Sequence, residues 1–371
     1  MTIDGVEVGQ VLAPGTTREL AEMMGALEGP VAPVGAGTRL SFGNPLRPVD
    51  AAIDTTRLDR LTGYVPADLT IHLEAGVRLG RLEEILSEYN QMLPLDPWCG
   101  PEATLGGIIA TNSQGPFRAV GTIRDWIIGM TVVHAGGRIS RTGGRVVKNV
   151  TGYDLAKLYT GSLGSLGVIA EVSLKLRSRY EATASARIRL EDAAQAAAMI
   201  RALRAAPLDP VSLVWTGPDN EIRIRFGEHR KAVAWQLARL PAGEWETFAG
   251  DDERGLWAEA RTLYEALGEP LVRVAVLPSR IADLIDRFRP RRWLAHGANG
   301  ITLIEVGPEA IPELRREFPA ILERASLGTR RVVPTFGVRG PAYDTMRRLK
   351  TAFDPEGRLN PGRHVDGEAA A

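Results

Sequence analysis

The stretch Pro101-Glu-Ala-Thr-Leu-Gly-Gly-Ile-Ile-Ala-Thr-Asn112, followed by Thr160-Gly-Ser-Leu-Gly-Ser-Leu-Gly-Val-Ile169, decides how the chain is read. Between Pro101 and Ile169 thirteen of 69 residues are glycine, almost twice the frequency in the whole chain. Glycine weakens helices and strands relative to alanine, so this density needs a cause. Backbone brought into close contact with a large flat ligand carrying phosphates supplies one. A loop-rich β region accounts for the glycines but not for the small polar residues Thr104, Thr111 and Asn112 beside them.

Composition bounds what surrounds that stretch. A chain of 371 residues with 44% hydrophobic content can bury a large core and is expected to divide into two domains. The 45 basic and 45 acidic residues balance, so charge gives no case for nucleic acid or an anionic membrane. The single cysteine, Cys99, excludes an internal disulfide and any multi-cysteine metal or iron–sulfur site within these residues. No basic-then-apolar leader and no apolar run of membrane length is visible. The expectation is a cytoplasmic protein, with peripheral docking at the inner face of the membrane through partners left open.

Before the glycine-rich stretch, Gln10–Pro14 reads as a strand. Thr16 or Thr17 then caps a helix through Leu27, with Leu20, Met23, Met24 and Leu27 on one face. Strand-like runs follow at Ala51–Asp54 and Leu69–Leu73, then a helix from about Leu79 to Tyr89. Beyond Leu176 glycine thins and a faint repeat of strand, helix, strand, strand emerges. One copy is Ala184–Leu190, Glu191–Ala205, Val211–Trp215 and Glu221–Phe226. The other is Leu271–Leu277, Pro278–Phe288, Trp293–His296 and Ile301–Val306. Hairpin signals close each copy, at 217–220 and 297–300, and further helices follow at about Lys231–Leu240 and Glu309–Ala325. Such units side by side make an antiparallel sheet with helices on one face. The fold class is α+β. The expected domains are 1–178, 179–340, and a C-terminal helix and tail, 341–371, returning to the first; residues 366–371 read as disordered.

Gly35-Ala-Gly37, with Asp54 nineteen residues on, suggests a dinucleotide-binding unit that opens a helix. Physically that fails, because Leu40-Ser-Phe-Gly-Asn-Pro-Leu-Arg-Pro48 cannot be a helix. A nest of consecutive backbone N–H groups, helped by the hydroxyls of Thr38 and Ser41, can hold a phosphate without one. The ligand is therefore expected on nests and loops rather than on a helix N-terminus. An ordinary strand-connecting turn is the other reading of Gly35–Thr38.

With Gly35–Thr38, Pro101–Asn112 and Gly164-Ser-Leu-Gly-Val-Ile169 in this order, the chain resembles flavoproteins with the vanillyl-alcohol-oxidase, or PCMH, type of FAD-binding domain. The tail Phe353-Asp-Pro-Glu-Gly-Arg-Leu-Asn-Pro-Gly362 is similar to the one that ends many of them. The resemblance covers roughly residues 10–178 and 341–363. Val147-Lys-Asn-Val-Thr-Gly-Tyr-Asp-Leu155 is most similar to the FAD-binding subunits of bacterial glycolate oxidases. The resemblance implies a two-subdomain FAD-binding domain capped by the central domain, and FAD-dependent oxidation of a 2-hydroxy acid, glycolate or D-lactate. It implies as partners a larger flavin subunit and an iron–sulfur subunit. It also implies that Val34, Gly35, Ala36, Gly37, Thr38, Arg39 and Leu40 wrap the diphosphate. Pro101, Thr104, Gly106, Gly107, Thr111 and Asn112 would line its second side and the ribityl chain. Gly167, Val168 and Ile169 would lie against the adenine half, and Asn360 would approach the flavin.

Some relatives attach FAD through a histidine in the first loop; Thr38 stands in that region, so noncovalent FAD is expected. Cys99 could form a thioether, although a buried inert thiol is the ordinary use of such a residue. The histidine-rich motif of related 2-hydroxy-acid dehydrogenases is missing. His72, His134, His229, His296 and His364 have no metal-ligand spacing, so no metal is expected. His296, at a hairpin end, either faces the flavin or is a surface histidine. Tyr153 and Asp154 as acid–base groups, and Arg39, Arg118 or Arg124 as a carboxylate binder, stay open, and no catalytic base is assigned. A self-sufficient flavin dehydrogenase and a scaffold subunit that keeps the fold without flavin are the alternatives.

Overall fold

The computed structural model describes residues 1–144, 154–337 and 341–365. It divides into two compact units. The first comprises residues 1–114, 122–179 and 330–371, and the second 115–121 and 180–329. The run Val147–Tyr153 and the tail 366–371 lie outside the described residues.

Beside two short two-stranded sheets, the first unit holds two main ones. In the smaller, β1 (Gln10–Leu12), β3 (Ala51–Asp54) and β2 (Val31–Val34) run parallel in the order β1-β3-β2. Helix α1 (Thr17–Ala26) crosses between the first two, capped by Thr16, whose side chain accepts from Glu19 N at 3.0 Å. Leu20 and Met24 are fully buried against Val31, Ala51, Ile53 and Leu58. The larger sheet is antiparallel, in the order β7 (Ile139–Gly143), β6 (Ile127–Val133), β8 (Val168–Lys175), β5 (Thr70–Glu74), β4 (Leu61–Val65). Ile71, Leu73, Met130, Val132, Val172 and Leu174 alternate onto one face of it. That face is covered by α2 (Leu79–Ser87) and α3 (Leu105–Thr111), through Leu82, Leu86, Leu105 and Ile108. Val133 and Val168 belong instead to the core of the smaller sheet and so join the two. A short helix, α4 (Ile123–Trp126), precedes β6.

The second unit is one antiparallel sheet of eight strands, and its order exposes a duplication. The first half is β9 (Ala182–Arg189), α5 (Ala193–Ala205), β10 (Ser212–Gly217), β11 (Glu221–Glu228), α6 (Arg230–Leu237) and β12 (Glu246–Ala249). After the connecting helix α7 (Gly250–Glu265) the second half repeats it: β13 (Leu271–Ala275), α8 (Ile281–Phe288), β14 (Trp293–His296), β15 (Ile301–Glu305), α9 (Ile311–Glu317), β16 (Ala320–Arg324). In space the order is β12-β9-β11-β10-β14-β15-β13-β16, each half the reverse of the other about the β10–β14 pair. The repeat is therefore six elements long, not four. Its last strands were missed: Glu309–Ala325, read as one helix, is a helix to Glu317 and a strand from Ala320. Helix α7 was missed as well. It packs on the face of Ser185 and Arg225, both bonded to its Glu253, whereas Ile200 of α5 meets Leu213 behind Gly297 on the opposite face.

The C-terminal helix α10 (Pro341–Phe353) returns to the first unit, and a buried ion pair fastens it there. Lys350 Nζ lies 2.5 Å from Asp354 Oδ2 and also donates to the carbonyls of Ser165 and Leu359, each at 2.9 Å. Asp354 in turn accepts from the backbone N–H groups of Arg358 and Leu359. A buried pair adds little net stability over apolar replacements, but removing one partner strands a charge and costs about 3–5 kcal/mol. Lys350→Met should therefore lower the unfolding free energy from denaturant titration by about 3–5 kcal/mol, and Lys350→Met with Asp354→Leu by clearly less. Equal losses in single and double variants would refute this account of the tail.

Candidate functional site

The first unit contains an open cleft that encloses about 890 Å³, the solvent at its mouth included. Its walls come mainly from four segments distant in sequence, 32–42, 104–111, 163–169, and Asn360 with Arg363, joined by Ile3, Thr55 and Cys99. Of the residues singled out in the sequence, Val34 through Leu40, Thr104, Gly106, Gly107, Thr111, Gly167, Val168, Ile169 and Asn360 all line it. Pro101 and Asn112 do not. Pro101 is exposed beside Gly80, and Asn112 ends α3 in the left-handed region, its side chain accepting from Gln114.

No helix follows β2. The chain turns through Gly35–Thr38, with Gly37 at φ +77, where an added Cβ would touch only Leu40. Among the described residues, the consecutive N–H groups of Ala36, Gly37 and Thr38 have no protein acceptor. Unpaired donors side by side on a turn suit an anion's oxygens. The opposite wall corrects the expectation of nests and loops alone, because Thr104 is the N-cap of α3 and accepts from Gly107 N at 3.3 Å. A short helix therefore begins at the cleft. The glycines also have a second cause. A Cβ on Gly35 would lie 2.2 Å from Thr104 Oγ1, one on Gly106 3.0 Å from Ala75 Cβ, and one on Gly167 2.3 Å from Val132. Gly35 lets two cleft walls pack on each other, and Gly106 and Gly167 let the walls pack on Ala75 and Val132 behind them.

Arg363 was not singled out. It donates to Asp4 Oδ2 at 2.7 Å and to the carbonyls of Leu40, Phe42 and Asn44. Asp4 also pairs with Arg330, so one buried carboxylate serves two guanidiniums. Burial, opposed by Asp4 and reinforced by Arg330, lowers the Arg363 pKa to about 10. The site keeps excess positive charge. Asn360 donates from Nδ2 to Leu163 O and from its N–H to Val31 O, so the tail pairs alongside β2. Cys99 is half-buried and lines the cleft, so it is not the sealed thiol expected. None of the cleft-lining residues is a histidine.

The other candidates separate cleanly. His134 is held by Ser140 and Leu166 O, His72 by Ser173, and His229 is exposed beside Glu181. Asp154 is exposed and pairs with Lys157 at 3.1 Å, Arg124 is exposed, and Tyr153 lies outside the described residues. Arg39 lines the cleft, its guanidinium 4.8 Å from the Phe42 ring centre. His296 belongs to the second unit and is 4% exposed, so the surface reading of it was wrong. Among the described residues no group of three His, Cys, Asp or Glu side chains is placed to hold a metal, and no helix is long and apolar enough to cross a membrane.

Residues 8–143 match the family model described as an FAD binding domain, and residues 337–364 that of the C-terminal domain of FAD linked oxidases. Glycolate oxidase subunit GlcE of Escherichia coli (strain K12) is 30% identical over 322 residues, covering 85% of this chain and 88% of that one. The chain belongs to the FAD-linked oxidases. It is an FAD-dependent oxidoreductase, and FAD is its cofactor. Glycolate oxidase subunit GlcD of Bacillus subtilis (strain 168) is 26% identical, covering 95% of this chain and 88% of that one. Among solved structures, alkyldihydroxyacetonephosphate synthase superposes with a TM-score of 0.69 at 17% identity, over 95% of this chain and 75% of its own. That likeness carries the fold, and the α+β class with a PCMH-type FAD-binding domain and an antiparallel-sheet domain stands.

Buried histidines make stability depend on pH, His296 and His364 most strongly. Burial and the nearby Arg118 lower the His296 pKa to about 3, and burial and Lys350 lower that of His364 to about 4, from 6.5. Below pH 6.5 the unfolded chain binds protons there that the folded chain refuses, so this stability is complete above 6.5 and is lost on acidification. His296→Gln should flatten the fall of melting temperature between pH 6.5 and 4.5. A variant as acid-sensitive as the parent would show that His296 is not held neutral.

Proposed function

We propose that this protein is the FAD-binding subunit of a glycolate oxidase-like complex, holding FAD noncovalently and acting with a larger flavin subunit and an iron–sulfur subunit. The complex would oxidise a short 2-hydroxy acid, glycolate or D-lactate, and pass the electrons to a partner. One observation carries the reading: similarity to a named glycolate oxidase subunit extends over 88% of that subunit's length. D-lactate dehydrogenase [cytochrome] of Arabidopsis thaliana, 27% identical over 91% of this chain, supports the wider substrate class.

The cleft chemistry fits the cofactor. The free N–H groups of Ala36, Gly37 and Thr38, with the charges of Arg39 and Arg363, would take the diphosphate. Thr104, Gly106, Gly107 and Thr111 would line the ribityl side, Gly167, Val168 and Ile169 the adenine half, and Asn360 would reach toward the ring system. FAD, when bound, supplies the two-electron acceptor; the protein binds and orients it and excludes water. Cys99 is the cleft's one thiol, and noncovalent attachment means that it forms no thioether.

Purified protein should show a flavin absorbance spectrum, and acid precipitation should release the FAD to the supernatant. Yellow colour retained on the precipitate would overturn noncovalent binding. A colourless protein that FAD cannot reconstitute would favour the scaffold alternative. Gly37→Ala, which forces a Cβ into the left-handed region, should weaken FAD binding at least tenfold while α-helical circular dichroism is unchanged. Robust turnover of glycolate or D-lactate with an artificial acceptor by this chain alone would count against the subunit reading. Co-purification of two partner subunits from the source organism would support it.

A further inference from the structure

One guanidinium of the second unit, that of Arg118, is left without an ion-pair partner among the described residues. Cross-strand partners share a face of a sheet. Leu294, Leu303 and Arg273 are partners across β14, β15 and β13, and Arg273 is partnered by Ile321 of β16. His296 lies two residues beyond Leu294 and so shares the face of Arg273, while Glu323, at a register shift between Leu322 and Arg324, is placed beside Arg273 by their ion pair. Arg273 Nε stands 3.4 Å from Glu323 Oε2. Across β10 and β11 that face continues through Val214, opposite His296, to Arg223 and Arg225. There α7 covers it and supplies the counter-charges Glu253 and Glu259.

Over β10 and β14 the covering element is instead the turn Pro116–Val120. Its Phe117 packs on the Arg225 guanidinium, centre to centre 5.0 Å, and Asn299 Nδ2 donates to Arg118 O at 3.4 Å. Among the described residues the partly buried Arg118 guanidinium has no hydrogen-bond or ion-pair partner. Burial and Arg273 both lower its pKa, to about 10, and only Glu323 opposes them. Two guanidiniums thus face one carboxylate, with a buried neutral imidazole between the strands. Partly desolvated guanidiniums bind carboxylates as charge-assisted, bidentate pairs, and such a site gains little from a neutral ligand.

We propose that Arg118, with Arg273 and His296, forms an anion site on this face of the second unit that takes the carboxylate of the 2-hydroxy acid. The assignment rests on the substrate class proposed above, and it makes Arg118 the principal binding residue. Asn299 and Phe117 position the turn that carries it.

The test uses the full FAD-loaded protein and isothermal titration with glycolate, oxalate and glycolamide, the neutral isostere of glycolate. The parent should bind glycolate and oxalate, more weakly as chloride rises, and bind glycolamide at least tenfold more weakly than glycolate. Arg118→Gln should weaken oxalate at least tenfold with the flavin spectrum and melting temperature unchanged. Arg118→Lys should recover part of the loss, and Arg204→Gln, on the exposed end of α5, should change nothing. Oxalate bound as tightly by Arg118→Gln as by the parent, or no oxalate binding by the parent, would overturn the site. Should Arg118→Gln not fold, Arg118→Lys and the glycolate-to-glycolamide ratio decide alone. A protein without FAD that still binds oxalate through Arg118 would sink the flavin reading and leave the site standing.

Discussion

The first unit depends on the return of its own C-terminus. Without residues 354–363 the small parallel sheet would lose the pairing of Leu359 and Asn360 beside β2, and the 40–44 loop would lose Arg363. Those contacts are polar and mostly buried, and their geometry is fixed by Lys350 and Asp354, which satisfy one another and the turn that follows Asp354. A buried charge left alone is expensive, so the tail is either docked with its whole network or not docked. The cleft, whose rim includes Asn360 and Arg363, therefore exists only in the fully closed unit. Binding of FAD to that closed form would stabilise it by mass action.

Much of this was legible. Periodicity and capping placed α1 and offered Thr16 or Thr17 as its cap, of which the structure uses Thr16, and prolines ruled out a helix after Gly35, where the structure has a turn. Fifteen of the seventeen residues singled out meet at one cleft, because glycine and small hydroxyl residues mark where chain segments approach closely. What failed to show in the sequence has physical reasons. Strands β12 and β16 are edge strands: Glu246–Ala249 is largely exposed, and Ala320–Arg324 continues a helical-looking run that begins at Ile311. Edge strands lack the apolar alternation that reveals a central strand. Arg363 was hidden among forty arginines, since only burial separates it from those in solvent.

The glycines need a more careful reading than their density suggests. Gly35, Gly106 and Gly167 are required by contacts within the protein, so a scaffold without flavin would need them too. Their presence cannot separate a flavoprotein from a scaffold. Gly37 can, because its added Cβ would meet only the end of Leu40, and its left-handed backbone serves to turn N–H groups that bond to nothing among the described residues. Rigid packing behind the cleft and unpaired donors in front of it are different demands, met by neighbouring glycines in one loop.

The duplicated sheet shows how a binding surface can arise from a symmetric frame. Both halves place polar residues on the face opposite α5. In the first half the connecting helix α7 closes over them, and Glu253 bonds at once to Thr183, Ser185 and Arg225. In the second half β16 is followed only by a six-residue helix, Leu327–Val332, which begins within the unit and runs past its end at Thr329, against the sixteen residues of α7. A seven-residue segment from far earlier in the chain, 115–121, joins this unit instead and packs on β10 and β14. It brings a guanidinium where the first half received carboxylates. The symmetry of the backbone is thereby kept while the symmetry of charge is broken, and the half with excess positive charge is the one suited to an anion.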